Sequence, residues 1–86
     1  MIEQIELKVA IVDYGVGNLF SVKHACDSVG LHASITSLKQ EILSAEAVIL
    51  PGVGAFGDAI EALRRLDLIQ VLREVAASSR PFMGIC

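Results

Sequence analysis

The residues best suited to chemistry stand at the end of an apolar segment, where Gly84, Ile85 and Cys86 follow Pro-Phe-Met. A cysteine at the carboxyl end of a strand suits a nucleophile elbow, in which the residue two positions earlier must be small. A helix that follows such a turn points its positive end at the sulfur and favours the thiolate. On its own, Gly-x-Cys favours the other interpretation, an inert, buried cysteine that packs as a small hydrophobe.

A second candidate site is the glycine-rich segment that follows the apolar run ending at Pro51. Its residues Gly52, Val53 and Gly54, with Ala-Phe-Gly after them, fit the spacing Gly-x-Gly-x-x-Gly of a dinucleotide-binding loop. That fingerprint belongs after the first strand of its unit, which is not the case here. The same glycines suit an oxyanion hole, in which backbone N–H groups stabilise a developing negative charge. A plain tight connection is the third interpretation.

The hydrophobic pattern predicts elements that could position both segments. Apolar runs predict strands at residues 8–13, 32–37, 47–50 and 81–86, and three- and four-residue spacing predicts helices at about 18–30, 59–66 and 69–76. A brief helical turn is predicted at residues 38–45. Asn18 is a suitable N-cap and Gly30 a suitable stop for the first helix, with Cys26 on its core side. Asp67 and Gln70 have the spacing of a capping box for the last helix.

Alternating strands and helices predict an α/β fold with a parallel sheet of the flavodoxin-like type and helices on both faces. The composition agrees, because 53% of the 86 residues are hydrophobic and only 5% are aromatic, as in strands buried on both faces. A strand order of 2-1-3-4 would bring the loops after residues 13 and 51, and Cys86, to one edge. Since the last strand would be uncovered, we expect an incomplete, N-terminal portion of a larger fold.

Charge and cysteine usage exclude several classes of function. The net charge is −3 and the basic residues are scattered, so no nucleic-acid partner is expected. The acidic start and the interrupted apolar stretches favour a cytoplasmic protein without a membrane segment. Cys26 and Cys86 do not have the spacing of a zinc site, so no metal is expected. No cofactor is expected either. His24 and His32 do not lie after strands, and neither is a suitable base for Cys86.

Three motifs in order carry a resemblance to a known family. They are Asp-Tyr-Gly-Val-Gly-Asn-Leu at residues 13–19, Pro-Gly-Val-Gly-Ala-Phe-Gly-Asp at 51–58 and Gly-Ile-Cys at 84–86. With them, residues 8–86 resemble the glutaminase subunits of imidazole glycerol phosphate synthase, which are class I, triad-type glutamine amidotransferases of histidine biosynthesis. Residues 1–86 would then be the N-terminal part of a single amidotransferase domain.

The resemblance implies a role for each matching residue. Cys86 would attack the side-chain amide of glutamine, giving a thioester and ammonia, and water would then release glutamate. Gly52, Val53 and Gly54 match the oxyanion strand, where the amide of Val53 would be the donor and Gly52 would let that peptide reorient. Asn18 matches a residue that couples occupancy of the partner to formation of the oxyanion hole.

The resemblance also implies a partner and a departure from the family. The partner would be a (β/α)₈-barrel cyclase chain that receives the ammonia and makes imidazole glycerol phosphate. The family's catalytic His and Glu, and a second oxyanion donor, correspond to positions beyond residue 86. A polypeptide of these 86 residues alone is therefore expected to be inactive, because a thiol without its base is mostly protonated at pH 7.

Overall fold

A computed structural model of the chain describes residues 7–15, 18–52 and 56–85. In chain order, these residues form β1 (Lys8–Val12), α1 (Leu19–Ser28), β2 (His32–Thr36), α2 (Lys39–Ser44), β3 (Ala47–Pro51), α3 (Phe56–Arg65), α4 (Ile69–Ala77) and β4 (Phe82–Ile85). The predicted order of strands and helices is confirmed, with element ends that differ by a few residues at most. Among the described residues, no helix is long and apolar enough to cross a membrane.

The four strands form one sheet in the order β2-β1-β3-β4, which confirms the predicted order. All three pairings are parallel, so the strands end at the same edge of the sheet. In the register, Val12 lies opposite Thr36, and Pro51 lies opposite Ile85. The segments that follow the strands therefore emerge side by side at this carboxyl edge.

Alternation along the strands divides the core between the two faces of the sheet. Val9 and Ile11 of β1 pack on one side with Cys26 of α1. Ala10 and Val12 face the other side, where the core contains buried residues of α2, α3, α4 and the turn between the last two helices: Ile42, Leu63, Leu68, Val71, Leu72 and Val75. Helices thus cover both faces, as predicted for a flavodoxin-like sheet, and Cys26 is buried, also as predicted.

Helix α1 begins and ends at the residues that the sequence indicates. The side chain of Asn18 accepts a hydrogen bond from the backbone N–H of Ser21 (3.2 Å), which satisfies one donor of the first turn. Gly30 follows the helix with a φ of +87°, a conformation that glycine adopts without a side-chain clash. The predicted cap and stop are both confirmed.

The predicted capping box at Asp67 is wrong. The N-cap of α4 is Leu68, and no side chain bonds to the cap position. Asp67 instead has a φ of +58°, so it ends the preceding helix in the left-handed conformation, and its carboxylate binds the ammonium of Lys39. Aspartate tolerates both positions, and the contact with Lys39 exists only in the folded chain.

Strand β4 forms the edge of the described sheet, as predicted. Met83 on this strand is 59% exposed, and Val29 at the end of α1 is 72% exposed. Together with Val22, Cys26 and Ile49 they line an apolar groove of about 480 Å³, here called the α1 groove. The sheet face beside α1 is therefore only partly covered.

Candidate active site

The register of β3 and β4 sets side by side the ends of the two strands that lead to the candidate segments. Leu50 lies opposite Gly84 and Pro51 lies opposite Ile85. The next residues along the two chains are Gly52, which is half-buried, and Cys86. Cys86, Val53 and Gly54 lie outside the described residues, so their predicted roles stay predictions.

Gly84 fits a nucleophile elbow because the residue two positions before the nucleophile must have a small side chain to avoid a clash with the turn. In the structure, a Cβ added at Gly84 would meet no atom within 4 Å. The strand itself therefore does not require glycine at this position. A requirement for glycine would come from the predicted elbow at Cys86, which lies outside the described residues.

The loop after β1 lies at the same edge of the sheet. The N–H of Asp13 donates to the carbonyl of Thr36 (2.8 Å), which joins the start of the loop to the end of β2. The Asp13 carboxylate in turn accepts a hydrogen bond from the N–H of Gly15 (3.2 Å), and Gly15 has a φ of +87°. These contacts turn the chain sharply after the strand and fix the residue between them, Tyr14.

Tyr14 connects this loop to the candidate oxyanion strand. Its side chain is buried, and its hydroxyl donates a hydrogen bond to the carbonyl oxygen of Pro51, the residue before Gly52. Sequence reasoning missed this residue, because its partner lies 37 positions away in the chain. The available signals were its place in the first motif and the fact that it is the sole tyrosine of the sequence.

A cleft of about 670 Å³ opens at this edge, between the loop after β1 and helix α3. Asp13 and Tyr14 line one side of it, and Asp58 and Arg65 of α3 line the other. Carboxylates and a guanidinium group can bind polar, charged ligands. Since Tyr14 belongs to its lining, the cleft adjoins the residue that contacts Pro51.

Asn18 is exposed at the start of α1. Its side-chain oxygen is the acceptor for the Ser21 N–H, so at least one function of this residue is structural. The amide nitrogen of the same side chain carries two further donors. Its predicted coupling to a partner has no test in the described residues.

Neither histidine lies at the carboxyl end of a strand, as predicted. His32 begins β2 and pairs with Lys8 at the amino edge of the sheet, where both line a separate cleft of about 290 Å³. His24 is exposed on α1. Within the described ranges, no group of three or more His, Cys, Asp or Glu side chains could hold a metal ion.

The last glycine of the glycine-rich segment bears on the nucleotide-binding interpretation. In a dinucleotide fingerprint the third glycine allows close packing of the helix against the strand. Gly57 corresponds to that position and lies in α3, yet an added Cβ would meet no atom within 4 Å. The close approach that this interpretation requires is absent at Gly57.

Comparison with known proteins identifies relatives that carry the same subunit name. No protein-family model matches the chain. Subunit HisH of imidazole glycerol phosphate synthase from Rhodopirellula baltica is 53% identical over 78 residues, which cover 91% of this chain. HisH from Oceanobacillus iheyensis is 47% identical and HisH from a Bacillus cereus strain is 50% identical, over the same share of the chain.

The chain is homologous to HisH. It spans only 37 to 39% of the length of these HisH relatives, so the match concerns part of the subunit. The names of these relatives describe HisH as one subunit of imidazole glycerol phosphate synthase.

Proposed function

We propose that these residues belong to a glutamine amidotransferase subunit that hydrolyses glutamine and supplies ammonia for the synthesis of imidazole glycerol phosphate in histidine biosynthesis. Residues 1–86 would form the N-terminal part of a single class I amidotransferase domain. The proposal is carried by one observation, the parallel register that sets Pro51 opposite Ile85, so that Gly52 and Cys86 are the next residues of adjacent strands. The names of the HisH relatives support it.

In the proposed reaction, the Cys86 thiolate attacks the side-chain carbonyl carbon of glutamine. The C–N bond breaks as the leaving nitrogen takes up a proton and departs as ammonia, and a thioester remains. Water then attacks the thioester, which releases glutamate and restores the thiol. The proton donor and acceptor would be a histidine beyond residue 86, so residues 1–86 alone are expected to be inactive.

The oxyanion formed at the carbonyl needs a donor that is directed at it. The backbone N–H of Val53 is the proposed donor, with Gly52 and Gly54 allowing the peptide to adopt the required orientation. The end of β3 supports this assignment, because it lies beside the strand that leads to Cys86.

The proposed partner is a (β/α)₈-barrel cyclase subunit, and the complex is expected in the cytoplasm, where amino acids are made. Asn18 would contact this partner and couple its occupancy to formation of the oxyanion hole. The exposure of Asn18 at the carboxyl edge of the sheet is compatible with such a contact. Neither a metal nor an organic cofactor is part of the proposed reaction.

A diazoketone analogue of glutamine tests the proposal, because it alkylates the thiolate that attacks glutamine. The full-length protein with its partner should be labelled on the peptide that contains Cys86. The variant Cys86→Ser should not be labelled, whereas Cys26→Ala, which changes the buried cysteine of α1, should be labelled at the wild-type rate. Absence of label from the Cys86 peptide would overturn the proposal.

The two activities of the complex should also separate. Cys86→Ser is expected to lower glutamine-dependent synthesis by at least about a thousandfold, while synthesis from added ammonia stays at the wild-type level. Both rates are measured by the appearance of imidazole glycerol phosphate. Equal loss of both activities contradicts the proposed division between the subunits.

A further inference from the structure

The steps of the proposed reaction do not use the hydrogen bond between Tyr14 and Pro51. The Tyr14 side chain is only 3% exposed, and its hydroxyl donates to the backbone carbonyl of Pro51. A buried hydroxyl needs some partner, so the simplest explanation is satisfaction of this group alone. The identity of the acceptor indicates more, because it lies in the peptide immediately before the proposed oxyanion loop.

Peptide planarity makes this acceptor important. The carbonyl of Pro51 and the N–H of Gly52 belong to one rigid plane, so a hydrogen bond to the carbonyl also fixes the direction of that N–H. The proline ring fixes φ of Pro51 from the other side. The next peptide, Gly52–Val53, can still turn by rotation about ψ of Gly52 and φ of Val53.

The loop that carries Tyr14 is itself held in place. The N–H of Asp13 donates to the Thr36 carbonyl, and the Asp13 side chain accepts from the N–H of Gly15. Both chain neighbours of Tyr14, Asp13 and Gly15, are therefore held by hydrogen bonds. The hydroxyl that binds Pro51 thus belongs to an anchored residue, unlike that of a surface tyrosine, which would move together with its hydrogen-bond partner.

We infer that Tyr14 is a positioning residue, whose hydroxyl holds the Pro51–Gly52 peptide still and confines rotation to the Gly52–Val53 peptide, which carries the proposed oxyanion donor. The inference rests on the proposed function. Tyr14 does not touch the substrate and acts through the backbone of Pro51. Its loss would let the whole segment rotate, so that the donor N–H would be misdirected in the transition state.

The test is Tyr14→Phe in the full-length protein with its synthase partner. We expect kcat for glutamine hydrolysis to fall about 10- to 100-fold, with KM for glutamine within about twofold of wild type, because a misdirected donor weakens transition-state binding. Synthesis from added ammonia should be unchanged. This separation of kcat from KM distinguishes a positioning role from general damage to the fold.

The matched control is Ser78→Ala. Ser78 is half-buried just before β4, at the opposite edge of the sheet, and its hydroxyl donates to the carbonyl of Val75 (2.6 Å) and accepts from the N–H of Arg80 (3.2 Å). Its loss should destabilise the protein without changing kcat. A kcat loss equal to that of Tyr14→Phe would attribute the effect to stability and overturn the inference.

Analogues installed at position 14 keep the test valid if Tyr14→Phe does not fold. 4-Fluorophenylalanine fills the space of the hydroxyl without donating, and we expect the same low kcat. 4-Aminophenylalanine restores a donor and should return kcat to within about fivefold of wild type. A wild-type kcat with the fluoro analogue overturns the inference.

The inference and the proposed function fail in different ways. If wild-type protein does not hydrolyse glutamine and the Cys86 peptide is not labelled, the proposed function fails and the inference fails with it. If wild-type protein is active but Tyr14→Phe changes only KM, or changes neither constant, the inference alone is wrong.

Discussion

At the scale of single residues, Asn18 combines an observed contact with a proposed one. Its side-chain oxygen caps α1, and such caps contribute about 1 kcal/mol to the free energy of unfolding. The proposed contact with the partner would use the amide nitrogen or the exposed surface around it. Aspartate keeps the capping oxygen but lacks the amide nitrogen, so a substitution can separate these two functions.

We expect Asn18→Asp to leave the free energy of unfolding within about 0.5 kcal/mol of wild type, since aspartate is as good an N-cap as asparagine. The stimulation of glutamine hydrolysis by the partner should nevertheless fall. Asn18→Ala should lose both the cap and the stimulation. Urea unfolding and hydrolysis assays with and without the partner measure these effects, and normal stimulation in Asn18→Asp would rule out an amide contact.

Gly52 and Gly57 provide a matched pair within the glycine-rich segment. Gly52→Ala is expected to lower kcat for glutamine about tenfold or more with little change in KM, because the proposed oxyanion loop would act in the transition state. Gly57→Ala should leave turnover unchanged, since the added methyl group lies in open space on α3. Steady-state kinetics decides, and a Gly52→Ala effect on KM alone argues against the oxyanion role.

At the scale of elements, the turn between α3 and α4 contains an aspartate whose type suits two structural roles, a helix N-cap and a residue with positive φ. Asp67 with Gln70 fits a capping box, yet Asp67 lies in the left-handed conformation and contacts Lys39. Sequence spacing cannot separate the two, because aspartate suits both an N-cap and a left-handed position. The exposed contact with Lys39 contributes little by itself.

Two substitutions at Asp67 distinguish these geometries. Serine is a good N-cap, whereas glycine is the residue that best tolerates a positive φ. Both remove the carboxylate, so the loss of the Lys39 contact cancels in their comparison. The observed geometry predicts that Asp67→Gly is more stable than Asp67→Ser by about 1 kcal/mol in urea unfolding. If Asp67→Ser were the more stable variant, the capping box would be supported instead.

At the scale of the whole molecule, the α1 groove is an exposed apolar surface of the described residues. Val29 at the end of α1 and Met83 on β4 are large, exposed apolar side chains that line this groove. Exposed apolar patches on an edge strand favour association with other chains. The HisH relatives are more than twice as long as this stretch, and we expect the rest of such a chain to cover the groove.

A polypeptide of residues 1–86 should therefore bind an apolar fluorescent dye and self-associate, whereas the full-length protein should not. Met83→Lys should reduce both effects because it places a charge in the groove. Leu38→Lys is the control, since Leu38 is 62% exposed but does not line the groove. Dye fluorescence and sedimentation measure the result, and a monomeric polypeptide without dye binding would contradict an open groove.

The sequence by itself determined the elements and their order, because burial imposes a period of two on strands and of 3.6 on helices. It also determined Cys26 as a core residue and Asn18 as a cap, since these depend on neighbours within one helix. Only the tertiary structure decided the left-handed state of Asp67 and the contact between Tyr14 and Pro51. Both depend on groups far apart in the chain, and no local pattern records which distant partner a side chain meets when the sheet forms.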